Sequence, residues 1–295
     1  MIRIEHQVAL QYQVGAEGAD FIFNLHAAHT ASQFVTQERL LLNQAVMPQL
    51  HTDTITGTRF ARLRAGPGLL QVNYSATIEL NHHRALPEHL AEVPVAQLPF
   101  ETLAYLNPSR YCQSDQFSQL ALQEFGMLPR GHQRVQAIQA WVQQHVKFTS
   151  NTSNSNTSAV ETLKSGQGVC RDFAHLMIAM CRALCIPARF TTGTDYGADP
   201  ILGPPDFHAY VEVFLGGGWY IFDAAGTSIP MGFVRIGTGR DAADVPFASM
   251  YGPVTAQAPV ILTRAVVDIN RGIGLPMHSP DALSTDMPRG PVWRH

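Results

Sequence analysis

The most constraining feature of this chain is a glycine-bearing loop that runs straight into an apolar helix. Gly166 and Gly168 break a short helical segment just before Cys170. From Asp172 to Leu184 the apolar positions Phe173, Leu176, Met177, Met180 and Leu184 form one helical stripe, and Pro187 ends it. ARFTTGTDYG then reads as a strand entering a loop. FHAYVEVFL and GGGWYIFDA read as two further strands joined by Gly216-Gly217-Gly218, an antiparallel hairpin. A helix followed by antiparallel strands is an α+β arrangement.

Upstream the pattern changes period. Residues 1–105 alternate in IRIEHQVALQYQV and again in LLQVNYSATIEL, with glycine turns between the runs. Short strands at this spacing predict a β-sandwich domain. Residues 106–130 read as a helical linker, in a stretch interrupted by Pro87, Pro94, Pro99 and Pro108 and ending in a helix before Gly126. Residues 131–255 form the second domain. Its first helix carries Val135, Ile138, Trp141, Val142 and Val146 at helical spacing. The polar loop 149–158 shows no reason to pack, and Ser158 and Glu161 fit a capping box that opens the next helix. Residues 256–295 hold one more strand, in VILTRAVVDI, and a mobile tail from 276 onward.

Three side chains carry the chemistry. Cys170 opens its helix, where unsatisfied backbone N–H groups and the positive end of the helix dipole stabilise a thiolate. His208 lies on a strand whose positions 208, 210 and 212 share one face, with Ala209, Val211 and Val213 on the other. It is the candidate base, and Asp223, at the end of the next strand, is the candidate orienting acid. His175 competes with His208, but five helical residues after Cys170 it turns away from the sulfur and reads as a packing residue. The spacing of Cys181 and Cys185 matches no zinc pattern, so both read as small buried hydrophobes. His26, His29, His82 and His83 lack ligand partners in sequence and read as surface or strand-end residues, so no metal is expected.

At 295 residues and 45% hydrophobic content, the chain has enough apolar material for more than one core. A net charge of -3 without basic runs leaves no electrostatic footprint for nucleic acid or an anionic membrane. The N-terminus shows no basic segment followed by an apolar core, so a cytoplasmic location is expected.

GQGVCRDFAHLMIAMCRALCIPARF, followed by DFHAYVEVFLGGGWYIFDA, resembles the transglutaminase-like superfamily, specifically its bacterial branch of candidate cysteine proteases. RIGTGRDAADVPFASMYGP, residues 235–253, is similar to the segment that follows the acid in that branch. The resemblance implies a papain-like transglutaminase core, its Cys-bearing helix packed on an antiparallel sheet, preceded by the β-sandwich domain. It maps the catalytic residues to Cys170, His208 and Asp223, and it implies an oxyanion hole containing the Cys170 backbone N–H. Gln167, Trp141 and the 149–158 loop are candidates for the second donor. The relatives often carry Gly where Cys185 stands. No acidic calcium loop is visible, and no cofactor is expected. The expected activity is a cysteine-dependent hydrolase of peptide or protein amides acting through a thioacyl-enzyme. The alternatives are an amine acyltransferase using the same residues and, from another class, a non-catalytic peptide-binding protein.

Overall fold

Alternation in the first strand is nearly perfect: in β1 (Ile2–Val14) every even-numbered residue is buried. The chain continues through β2 (Ala19–Phe23), β3 (Gln33–Leu42), β4 (Gln49–Thr52), β5 (Arg59–Ala65), β6 (Gly68–Leu80) and β7 (His83–Ala85). It then forms α1 (Ser118–Phe125), α2 (His132–His145), β8 (Lys147–Phe148), α3 (Ala159–Ser165), β9 (Gln167–Gly168) and α4 (Cys170–Ala183). Next come β10 (Ala188–Asp195), β11 (His208–Leu215), β12 (Gly218–Phe222) and β13 (Phe233–Gly239). Last are β14 (Ala248–Tyr251), β15 (Val254–Ala256), β16 (Val260–Val266) and β17 (Ala282–Ser284). This computed structural model describes residues 1–197 and 206–287.

Two antiparallel sheets make the N-terminal region. One has the order β15–β1–β6–β3, with β16 also paired to β1; the other is β14–β2–β5–β4. Their inward residues, among them Leu10, Tyr12, Phe21, Phe23, Leu63 and Val72, meet in one apolar cluster. VILTRAVVDI does supply a strand, β16, and it pairs with β1 along seven residues.

A third antiparallel sheet, β12–β11–β10–β13, is the platform for α4. Ala209, Val211 and Val213 cluster with Phe173, Leu176, Met177 and Met180 of α4. Side chains of this kind, fully buried, contribute roughly 1.5–3 kcal/mol each. The stripe expected for α4 understates its burial, because every residue from Asp172 to Arg182 is buried. Helices α1, α2 and α3 pack against α4. The segment read as a linker takes part: Cys112, Phe117, Ala121 and Phe125 join the α4 cluster. Buried Arg182 keeps its charge satisfied by donating to the carbonyls of Ala188, Asn107 and Arg240.

On the opposite face of this sheet, Tyr210 and Phe233 pack with Ile4, Tyr74 and Ile78 of the N-terminal sheet. The tail expectation fails for residues 276–287. Strand β17 pairs with β7, and Ala282 to Thr285 are buried. The physical cause is charge pairing: the Asp286 carboxylate bridges the buried guanidinium groups of Arg189 and Arg235. Residues 288–295, the rest of that expected tail, lie outside the described residues.

Two other expectations are corrected. His26 and His82, read as surface or strand-end residues, do follow the ends of β2 and β6 but are buried there. Cys185 is exposed and has φ of 61°, because the chain must reverse between the end of α4 and Pro187. Glycine is the residue suited to that left-handed position. Among the described residues, no helix is long and apolar enough to cross a membrane.

Candidate active site

The start of α4 is built by short-range polar contacts. The capping box at Ser158 and Glu161 starts α3, and Gly166, with φ of 63°, ends it. Strand β9 pairs in parallel with β8 and delivers the chain to Val169, the N-cap of α4. The buried Asp172 carboxylate accepts the Val169 N–H at 2.9 Å and the Ser153 hydroxyl at 2.9 Å. A Cβ on Gly168 would sit 2.7 Å from the Asp172 Cβ, so close approach demands glycine here. Arg171 donates to the Ser153 hydroxyl and the Asn154 carbonyl, both at 2.6 Å. The 149–158 loop, which offered no apolar reason to pack, is thereby fastened to the start of α4.

Cys170 is the first residue of α4 and is half-buried, its Sγ 4.0 Å from the Phe207 carbonyl oxygen. His208, the first residue of β11, comes next along that chain segment. Its Nε2 lies 3.4 Å from Asp223 Oδ1 and 3.2 Å from the Ser228 hydroxyl. The hairpin register explains the meeting. Val211 pairs with Phe222, so one further step sets Asp223 opposite Tyr210, a single same-face position from His208. The loop after β12 then grips the acid: Asp223 Oδ1 accepts the Ala225 N–H, and Oδ2 accepts the Ser228 N–H. Gln139 and Gln143 of α2 donate to the Asp223 carbonyl.

A second acid reaches the same ring. Asp195 closes β10, and its Oδ2 lies 3.5 Å from His208 Nδ1 while its Oδ1 accepts the Tyr210 hydroxyl at 2.8 Å. The sequence reading missed it as a loop-opening aspartate. Its signal lies in register: Gly193 pairs with His208, and Asp195, two residues on, keeps the same face.

These neighbours set the charges. Burial works to lower the pKa of His208, but the Asp195 carboxylate, the Cys170 sulfur and the Asp223 hydrogen bond outweigh it and hold it well above its ordinary value. Burial works to raise that of Asp223, yet the hydrogen bond and charge of His208 with the loop N–H groups keep it below the usual value. Burial, reinforced by the charge of Asp223, pushes Asp195 up to about 6 against the opposing pull of His208 and Tyr210. Imidazolium at His208 is the form that this surrounding favours.

His175 is fully buried, stacked on Tyr111 with ring centroids 5.0 Å apart, and its Nε2 accepts the Ala242 N–H. Burial holds its pKa well below the ordinary value, so it is a neutral packing residue. Trp141 stacks on His145 with centroids 3.8 Å apart, and Gln167 is exposed on β9. Neither side chain hydrogen-bonds to Cys170, His208 or Asp223. Among the described residues no group of three or more His, Cys, Asp or Glu is disposed to hold a metal ion.

Comparison with known proteins matches both regions. Residues 122–224 match the family described as the transglutaminase-like superfamily, and residues 2–101 match the bacterial transglutaminase N-terminal domain. A crystal structure of a candidate cysteine protease from Cytophaga hutchinsonii superposes with a TM-score of 0.87 at 36% identity, covering 96% of this chain and 97% of that one. An uncharacterised Mycobacterium leprae protein is 27% identical over 148 residues, which is 46% of this chain and 53% of that protein. A Mycobacterium tuberculosis protein is 32% identical over 110 residues, 34% of this chain and 35% of its own length. The chain thus spans about half or less of the curated relatives that it matches.

Proposed function

The chain belongs to the transglutaminase-like superfamily, and on that footing we propose that it is a cysteine-dependent hydrolase of peptide or protein amides. The observation that carries this reading is the meeting of a helix-opening thiol, a largely enclosed imidazole held charged, and a buried carboxylate on its Nε2. Cys170 acts as the nucleophile, His208 as the acid and base, and Asp223 as the residue that aligns the ring.

The proton first passes from the Cys170 thiol to His208. The thiolate attacks the amide carbonyl, and the C–S bond forms as the carbonyl oxygen becomes an oxyanion. The Cys170 backbone N–H, one of the free donors at a helix start, faces that charge; a donor of this kind is worth ~2.7–4 kcal/mol. His208 gives its proton to the departing amine, the C–N bond breaks, and a thioester remains. Water, losing its proton to His208, then releases the carboxylic acid and restores the thiol. An amine in place of water would make the same residues an acyltransferase. The match of residues 2–101 to a bacterial transglutaminase domain favours that as the second reading.

An electrophilic peptide library tests the proposal. Mass spectrometry should find the adduct on Cys170 at a pH where exposed Cys185 stays unmodified, and none on a Cys170→Ala chain. Equal labelling of both thiols would overturn it. A glutamine peptide incubated with a primary amine separates the two acyl-transfer outcomes by product mass.

A further inference from the structure

We infer that Asp195 is a second positioning carboxylate for His208, holding the ring charged from its Nδ1 side while Asp223 and Ser228 engage Nε2. This rests on the reading of His208 as the acid and base of the site. A neutral imidazole offers one N–H and one lone pair, so it can satisfy only one of two flanking carboxylates. Here each ring nitrogen has a carboxylate oxygen beside it, at 3.4 and 3.5 Å, and only the positive ring is attracted to both.

Asp195 is aimed by its own contacts. Its side chain is 2% exposed, and Oδ1 is taken by the Tyr210 hydroxyl. Oδ2 is buried without a hydrogen-bond partner and lies 3.5 Å from Nδ1, so it acts on the ring through its charge. Tyr210 also packs edge-on against the His208 ring, with centroids 4.7 Å apart, so the phenol fixes acid and ring together. Each element around the pair contributes a known group: Cys170 from α4, His208 and Tyr210 from β11, Asp223 and Ser228 from the end of β12 and its loop. From β13 the residue paired with Asp195 is apolar Phe233, and from β1 His6 contacts the adjacent Thr194. Burial pushes Asp195 up to about 6, so acidification below that point withdraws its charge from the ring.

The charge role and a merely structural role separate in two variants. Tyr210→Phe removes the donor of the 2.8 Å hydrogen bond and keeps the charge, whereas Asp195→Asn removes the charge and keeps an amide oxygen that can accept from the hydroxyl. His208 is followed by NMR titration of the imidazole in the full chain, its signal identified by loss in His208→Gln. Asp195→Asn should lower the His208 titration by ~1 unit or more, as expected for a carboxylate within 4–6 Å. Tyr210→Phe and Asp195→Glu should leave it within a few tenths of a unit. Equal shifts in Asn and Phe variants, or no shift in either, overturn the inference. With a substrate in hand, the alkaline limb of kcat/KM should move to lower pH in Asp195→Asn alone. The NMR titration reads Asp195 even if no amide is hydrolysed, so failure of this inference and failure of the functional proposal are told apart.

Discussion

Two regions of this molecule enclose histidines and bring them to different charge states. In the N-terminal region, burial pushes His6 down to about 4. His26 goes to about 4 through burial and the charge of Arg59 against the weaker pull of Glu38. Neutral His6 reaches the Thr194 hydroxyl at 3.1 Å, and His26 lies against Tyr74 with ring centroids 4.7 Å apart. In the second region His208 is pushed up because Asp195, Cys170 and Asp223 surround it. Burial by itself discharges an imidazole; buried acids beside it reverse the sign. The contrast separates a histidine that fills space from one equipped to move protons.

The harshest test of that contrast is loss of activity. Cys170→Ala and His208→Gln should each lower kcat/KM by ~10⁴-fold or more, as removal of a nucleophile or its base does in related chemistry. His26→Gln, assayed alongside on the peptide selected by the electrophile library, should stay within about threefold of the parent chain. A loss at His26 equal to that at His208 breaks the comparison. Asp223→Asn should cost somewhat less, ~10³–10⁴-fold in kcat, by letting the ring adopt the wrong tautomer.

Stability against pH sharpens the same contrast. The folded pKa of His6 lies below its unfolded value, so its contribution is present above about 6.5 and disappears as pH falls toward 4. His208 runs the other way: its contribution is complete below the unfolded value and is lost as pH rises through the higher folded one. Urea unfolding between pH 7 and 4 should therefore show falling stability, with up to ~3 kcal/mol from His6. His6→Asn should flatten that slope, and an unchanged slope would count against neutral burial. The smallest effect is expected at the far end of α4. Cys185→Gly should raise stability by ~0.5–1 kcal/mol by relieving a left-handed φ, seen as a higher Tm, while leaving the His208 titration where it was.

What could be read beforehand followed the local rules of the chain. The α4 helix, the β11–β12 hairpin and the α3 capping box are periodic or short-range, so residues a few positions apart reveal them. Cys170, His208 and Asp223 were legible because each sits at the boundary of such an element. Asp195 was not, because its role depends on how β10 aligns with β11 across a long connection. The 149–158 loop escaped for a related reason: its packing uses the Asp172 carboxylate and Arg171 guanidinium rather than apolar side chains. The 276–287 segment looked like a tail because Asp286 declares its place only beside Arg189, 97 residues earlier, and Arg235, 51 residues earlier.

The pairing of β14 with β2, and of β15 and β16 with β1, carries a consequence for the nascent polypeptide. A ribosome making this chain finishes the first six strands early, yet their sheets keep bare hydrogen-bonding edges until residues 248–266 emerge. The N-terminal region is therefore committed last, clasped shut by the strands that follow the β12–β11–β10–β13 sheet, and translation halted before residue 248 leaves two adhesive edges open to other chains.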